Sequence, residues 1–133
     1  MAITAHARKV LKLNVASEAK GTSRSAAFGA DAKGGDYKLL FIFENAGNAA
    51  ATATIAVGNG VQGVGSDLTV TVKASGDSDG KDRQFLVVDS GYFKNVSGEY
   101  KDYIKVTPSA ALISRSAMSA TRSVRSVSAV KSA

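Results

Sequence analysis

Three aspartates around a glycine, Asp77-x-Asp79-Gly80-x-Asp82, come nearest in this chain to the spacing of a metal loop. A calcium loop of the EF-hand type needs glycine at its sixth position and glutamate at its twelfth, with oxygen ligands between. Counted from Asp77, those positions hold Asp82 and Val88, and Lys81 stands fifth. The register fails, so the aspartates are read as solvated turn residues. A second spacing, Gly58-x-Gly60-x-x-Gly63, matches the dinucleotide fingerprint as a string. That fingerprint works only when a helix N-terminus follows and aims its amides at a pyrophosphate. Here Asp67-Leu68-Thr69-Val70-Thr71-Val72 follows, a strand pattern, so the glycines are read as a turning loop. His6 is the sole histidine and cysteine is absent, so thiolate chemistry and disulfides are excluded. No acid partner is visible for His6 as a catalytic base. Asn95-Val96-Ser97 is a glycosylation sequon, read as chance because no export signal accompanies it. The expectation is a protein that is not an enzyme and needs no cofactor and no metal.

Charge gives a stronger signal than any of these motifs. The chain has 133 residues and a formal net charge of +6. In residues 1–25, Arg8, Lys9, Lys12, Lys20 and Arg24 face only Glu18, and in residues 110–133 Arg115, Arg122, Arg125 and Lys131 face no acid. The segment between them is acidic on balance. All nine aromatic residues also lie between Phe28 and Tyr103, so the ends lack the bulk to make a core. The expected organisation is a basic N-terminal arm over 1–25, a core over 26–109 that folds without the arms, and a basic Ser/Ala-rich arm over 110–133. The arm residues Arg8, Lys9, Lys12, Arg115, Arg122, Arg125 and Lys131 are the candidate partner-binding set. Nucleic acid is an unlikely partner, since no aromatics are interleaved with the charges for base stacking. No apolar run reaches the ~18 residues of a membrane span, and the start lacks the apolar region of a signal peptide.

The elements that must carry these residues read as strands. Leu11, Leu13 and Val15 alternate with polar residues, which marks a strand the N-terminal arm could add to the core. Ser17 to Gly35 reads as loop. Tyr37 to Glu44 is apolar on both faces and is expected to be central between two layers. Ala51 to Val57, Asp67 to Lys73, Gln84 to Val88 and Tyr100 to Thr107 follow, separated by Gly and Asn/Asp turns. Short strands at this spacing predict an all-β fold, a small antiparallel β-sandwich or barrel with extended N- and C-terminal arms. In the C-terminal segment Ile113, Ala117, Ala120, Val124 and Val127 fall at helical spacings, but serine opposes a helix there. That segment is expected to order only against a partner.

Gly35 to Pro108 resembles the capsid decoration, or cement, proteins of tailed bacteriophages. The stretches that carry the resemblance are Lys38-Leu39-Leu40-Phe41-Ile42-Phe43-Glu44-Asn45-Ala46-Gly47, Ala53-Thr54-Ile55-Ala56-Val57-Gly58-Asn59-Gly60, Asp67-Leu68-Thr69-Val70-Thr71-Val72, Asp89-Ser90-Gly91-Tyr92-Phe93-Lys94 and Ile104-Lys105-Val106-Thr107-Pro108. The resemblance implies a non-enzymatic β-rich structural protein of the virion. It would lie on the outer surface of the capsid and clamp major capsid protein subunits, with neighbouring copies of itself (a homo-oligomer) as further partners. The Ser/Arg-rich stretch from Ser114 onward lies outside the resemblance. An alternative from another class is a carbohydrate- or cell-surface-binding β-sandwich, for which Tyr92, Phe93, Tyr100 and Tyr103 would supply a stacking face. Filling the core or its rim is the simpler role for those four.

Overall fold

The computed structural model of the chain describes residues 3–11, 21–34, 38–59 and 66–119. Among these, the elements in chain order are β1 (Ala5–His6), β2 (Lys9–Leu11), β3 (Thr22–Arg24), β4 (Phe28–Asp31), β5 (Lys38–Glu44), β6 (Ala51–Ile55), β7 (Leu68–Val72), β8 (Arg83–Asp89), a single helical turn α1 (Ser90–Phe93), β9 (Tyr103–Pro108) and β10 (Leu112–Ser119). They form two five-stranded sheets packed face to face. The first runs β1-β4-β9-β6-β7; the second runs β2-β10-β5-β8, with β3 also paired to β10. The fold is therefore a small all-β sandwich. Its sheets are mixed, because β1 lies parallel to β4 and β2 parallel to β10, while the other pairings are antiparallel.

Period-two burial explains the layering. Phe28 and Ala30 of β4, Ala51, Ala53 and Ile55 of β6, Val72 of β7, and Ile104 and Val106 of β9 point inward from the first sheet. Leu39, Phe41 and Phe43 of β5, Val88 of β8, and Leu112 and Met118 of β10 meet them from the second. The alternation places every second residue on one face, and each large side chain so buried contributes about 1.5–3 kcal/mol. Phe41 and Phe43 stack with ring centroids 5.7 Å apart, and alanines on β6 share their cluster, so bulk on one sheet is matched by small residues on the other. Asn45 ends β5 as a buried turn former. Its amide donates to the carbonyls of Ala49 and Val72, and its Oδ1 accepts from the Gly47 N–H.

The structure corrects the expected arms. Leu112–Ser119, read as part of a C-terminal arm, is a central strand between β5 on one side and β2 and β3 on the other. The core is consequently not bounded at 109. Its inward residues Leu112, Ser114, Ser116 and Met118 alternate apolar and hydroxyl side chains, which hides the strand in the sequence. The helical spacing was ambiguous at its start, because a separation of four, as between Ile113 and Ala117, keeps two residues on one face of a strand as well. Ala120, Val124 and Val127 lie outside the described residues. The N-terminal segment is likewise built in: β1 joins the first sheet, while β2 and β3 join the second. Of the expected strand at 11–15 only Leu11 is described, as the last residue of β2 (Lys9–Leu11); residues 12–15 lie outside the described set. Ser17 to Gly35, expected as loop, carries β3 and β4. β5 is central in its sheet, but among the described residues no third layer covers its outer face, where Leu40 and Ile42 stay half-buried.

Candidate functional site

The candidate arm residues fall into three groups. Arg8, between β1 and β2, is 3.9 Å from the Asp31 carboxylate, and Lys9 is exposed on β2. Arg115 is not on an arm. It lies on β10, where its guanidinium donates to Glu44 at 3.1 Å, and Arg83 of β8 donates to the other oxygen of the same carboxylate at 3.0 Å. These two hydrogen bonds hold the Glu44 carboxyl below its ordinary proton affinity. Lys12, Arg122, Arg125 and Lys131 lie outside the described residues.

The place where those segments leave the fold is nonetheless defined. β2 and β10 run parallel, with Leu11 beside Ser119. The chain therefore enters residues 12–20 and residues 120–133 from adjacent positions at one end of the second sheet. Lys12 and Lys20 with Glu18 are in the first of these segments, and Arg122, Arg125 and Lys131 with no acid are in the second. Two basic segments separated in sequence by more than a hundred residues thus start from neighbouring positions, while residues 12–20 return to the same sheet at β3, where Thr22 lies beside Ser114. Positive charge of this kind favours an acidic surface and raises encounter rates with it.

The aromatic candidates do not assemble into an open platform. Phe93 is buried on α1, and Tyr92 meets it edge-on at 5.3 Å while packing against the core. Tyr103 and Tyr100 are half-buried, and each carries a lysine over its ring, Lys33 at 5.2 Å and Lys105 at 5.4 Å. Cations on those faces compete with a sugar for the same π surface.

The remaining motifs act locally. The Asp77 carboxylate accepts from the N–H groups of Asp79 and Lys81, and that of Asp82 accepts from Gly76 N–H, so both shape the β7–β8 turn. Gly58 lies so close to the chain at Lys94 that a Cβ there would sit 2.3 Å from the Lys94 carbonyl oxygen. Residues 60–65 of the glycine loop lie outside the described set. Asn95, the sequon residue, donates from Nδ2 to the Tyr103 carbonyl and accepts from Asn59 N–H. A groove of about 400 Å³ near the β5–β6 turn is lined by Ser23, Asn45, Gly47, Asn48, Ala110 and Ile113 among others. The amide of Asn45 in its wall is already committed to Ala49 and Val72.

Sequence reasoning did not find the surroundings of His6. The imidazole is 3% exposed, its Nδ1 is 3.2 Å from an Arg24 guanidinium nitrogen, and its ring lies 5.6 Å from that of Phe28. Arginine can only donate, so Nδ1 accepts and the imidazole proton sits on Nε2. That Nε2 is buried and has no hydrogen-bond partner among the described residues. Burial first, and the Arg24 charge second, push the imidazole below the ordinary histidine proton affinity. The arrangement favours the neutral imidazole and ties β1 to β4 through Phe28 and to β3 of the second sheet through Arg24; a single histidine in a sequence gives no sign of it. Among the described residues no cluster of three metal-ligating side chains is found. No protein family, curated protein or solved structure matches the chain.

Proposed function

We propose that this chain is a structural protein of a virus particle that binds the outer surface of a tailed-bacteriophage head and holds neighbouring major capsid protein subunits together, without catalysis. The observation that carries the reading is the joint departure of residues 12–20 and 120–133 from Leu11 and Ser119, paired neighbours at one end of the second sheet. A compact sandwich with two basic segments that start from neighbouring positions, one of them a connection that returns at β3, can rest on one subunit and reach another. Linked contacts of this kind add through effective concentration even when each is weak. The resemblance of Gly35 to Pro108 to decoration proteins supplies the partner class. The all-β sandwich is compatible with it, and the lysine-covered faces of Tyr100 and Tyr103 weigh against the carbohydrate alternative.

Binding to purified head shells that lack the protein tests this. The full chain is expected to saturate the shells and to dissociate as salt rises, because screening shortens the reach of exposed charges to about 8 Å at physiological ionic strength. A chain ending at Ser119 that also carries Lys12→Glu and Lys20→Glu should fold but bind weakly. Undiminished occupancy by that variant would place the binding surface on the sandwich itself. Failure of the full chain to bind any tailed-phage shell, even at low salt, would refute the proposal.

A further inference from the structure

β8 is the outer strand of the second sheet, and among the described residues no strand pairs with its free side. Edge strands are normally blunted by lysine, proline or a bulge. β7, the matching edge of the first sheet, shows Thr69 and Thr71 to solvent and is followed by Lys73. β8 instead reads Arg83-Gln84-Phe85-Leu86-Val87-Val88-Asp89, with Phe85 63% and Val87 58% exposed. Its outer face therefore carries apolar residues in the middle, a cation at one end and an anion at the other.

The hydrogen-bond phase of the edge follows from its ladder with β5. The pairing sets Glu44 opposite Arg83, and one step further the Asn45 N–H donates to the Asp82 carbonyl at 2.8 Å. Directly opposed residues exchange bonds only at alternate positions of an antiparallel ladder. Gln84, Leu86 and Val88 therefore direct their peptide groups at β5, and Arg83, Phe85, Val87 and Asp89 direct theirs outward. The Arg83 N–H agrees, since it bonds the Gly80 carbonyl in the adjoining turn rather than β5.

We propose that β8 is a self-association edge, which pairs antiparallel with β8 of a second copy of this chain about a two-fold axis at Leu86. That register sets Phe85 opposite Val87 of the other copy, so outward peptide groups meet outward peptide groups. It also sets Arg83 opposite Asp89 at both ends and gathers Phe85 and Val87 of the two copies into one apolar strip. Sliding the register by two residues either way keeps the hydrogen-bond phase but sets a charge opposite an apolar residue and loses both charge pairs. One strand thus contains its own complement, as an isologous contact requires. The inference stands without the viral reading, and its test uses the purified full chain alone.

Sedimentation equilibrium over a range from micromolar to near-millimolar chain should show a monomer–dimer equilibrium. Val87→Pro removes an N–H that β5 does not use, so it should leave the circular dichroism spectrum intact while abolishing the dimer. Arg83→Asp and Asp89→Lys, each alone, oppose like charges twice, and each should weaken the dimer by about tenfold or more. An equimolar mixture of these two variants pairs opposite charges at both ends and should regain association as a heterodimer. A strictly monomeric full chain, or one that closes into a trimer, would overturn the proposal. So would a dimer indifferent to Val87→Pro and to both charge variants, since its contact would lie elsewhere.

Discussion

Removal of β10 should unfold the protein, although eight of its residues looked like part of a dispensable tail. Leu112 is 1% exposed and Met118 6%, and each contributes about 1.5–3 kcal/mol by burial. β10 also pairs with β5 from Ile113 to Met118, with β3 from Leu112 to Ser114 and with β2 from Ala117 to Ser119. At a net ~0.5–1.5 kcal/mol per hydrogen bond, a few of these ladder bonds add several kcal/mol more. The total falls within the ~5–15 kcal/mol that separates folded from unfolded domains. A chain ending at residue 110 should therefore show no cooperative urea transition by far-UV circular dichroism, and a chain ending at Ser119 should keep one. The graded version is Leu112→Ala, which should cost about 2–5 kcal/mol. With a urea dependence of roughly 1–3 kcal/mol per molar, the midpoint should fall on the order of 1–3 M. A chain ending at 110 that unfolds at the wild-type midpoint would refute the placement of β10 in the core.

His6 makes stability depend on pH with a defined sign. Its folded-state proton affinity lies below the ordinary value of 6.5, so on acidification the unfolded chain takes up the proton first. Stability should be complete above about pH 6.5 and decline as pH falls through the window below it, and His6→Gln should flatten that slope; parallel slopes in urea titrations of the two proteins would refute the assignment. Gly58→Ala forces a Cβ against the Lys94 backbone and should lower stability by about 1–3 kcal/mol, read as a lower melting temperature. Glu44→Gln removes the anion held by Arg83 and Arg115. At ~0–1 kcal/mol for each solvent-touched pair, the urea midpoint should fall slightly, and less so in high salt. The Glu44 contribution should also vanish in acid, since its carboxyl is depressed from the ordinary 4.5 and its stabilisation exists only while it is ionised.

Legibility in the sequence followed the chemistry of each inward face. β5, β6, β7, β8 and β9 were all visible because their inward positions hold Val, Leu, Ile or Phe, or alternate Ala with Thr, between Gly and Asx turns. β4 was not, because only Phe28 among its residues is large. Gly29 is there to make room, since a Cβ would meet Ile3 at 2.8 Å and Tyr103 at 3.1 Å. β10 was obscured by Ser114 and Ser116, which are 1% and 2% exposed and occupy inward positions where apolar residues are the rule. The basic ends were visible as charge, but charge alone did not reveal that Arg115 faces Glu44 or that Leu11 adjoins Ser119. Those are cross-strand relations between residues distant in the chain, and they depend on register.

The parallel pairing of β2 with β10 fixes an order of events during synthesis. β5 has its β8 partner within the first 89 residues, but its other flank has none until residues 112–119 exist. β2 and β3, made first, have no seat in the second sheet before then, because both pair to β10. A ribosome that stalls or a protease that cuts before this point would release a chain with one edge of β5 unpaired and without the inward side chains of Leu112 and Met118, and such a species is prone to aggregate. The last described strand acts as the closing bolt of the molecule, since β2, β3 and one flank of β5 all find their partner in it.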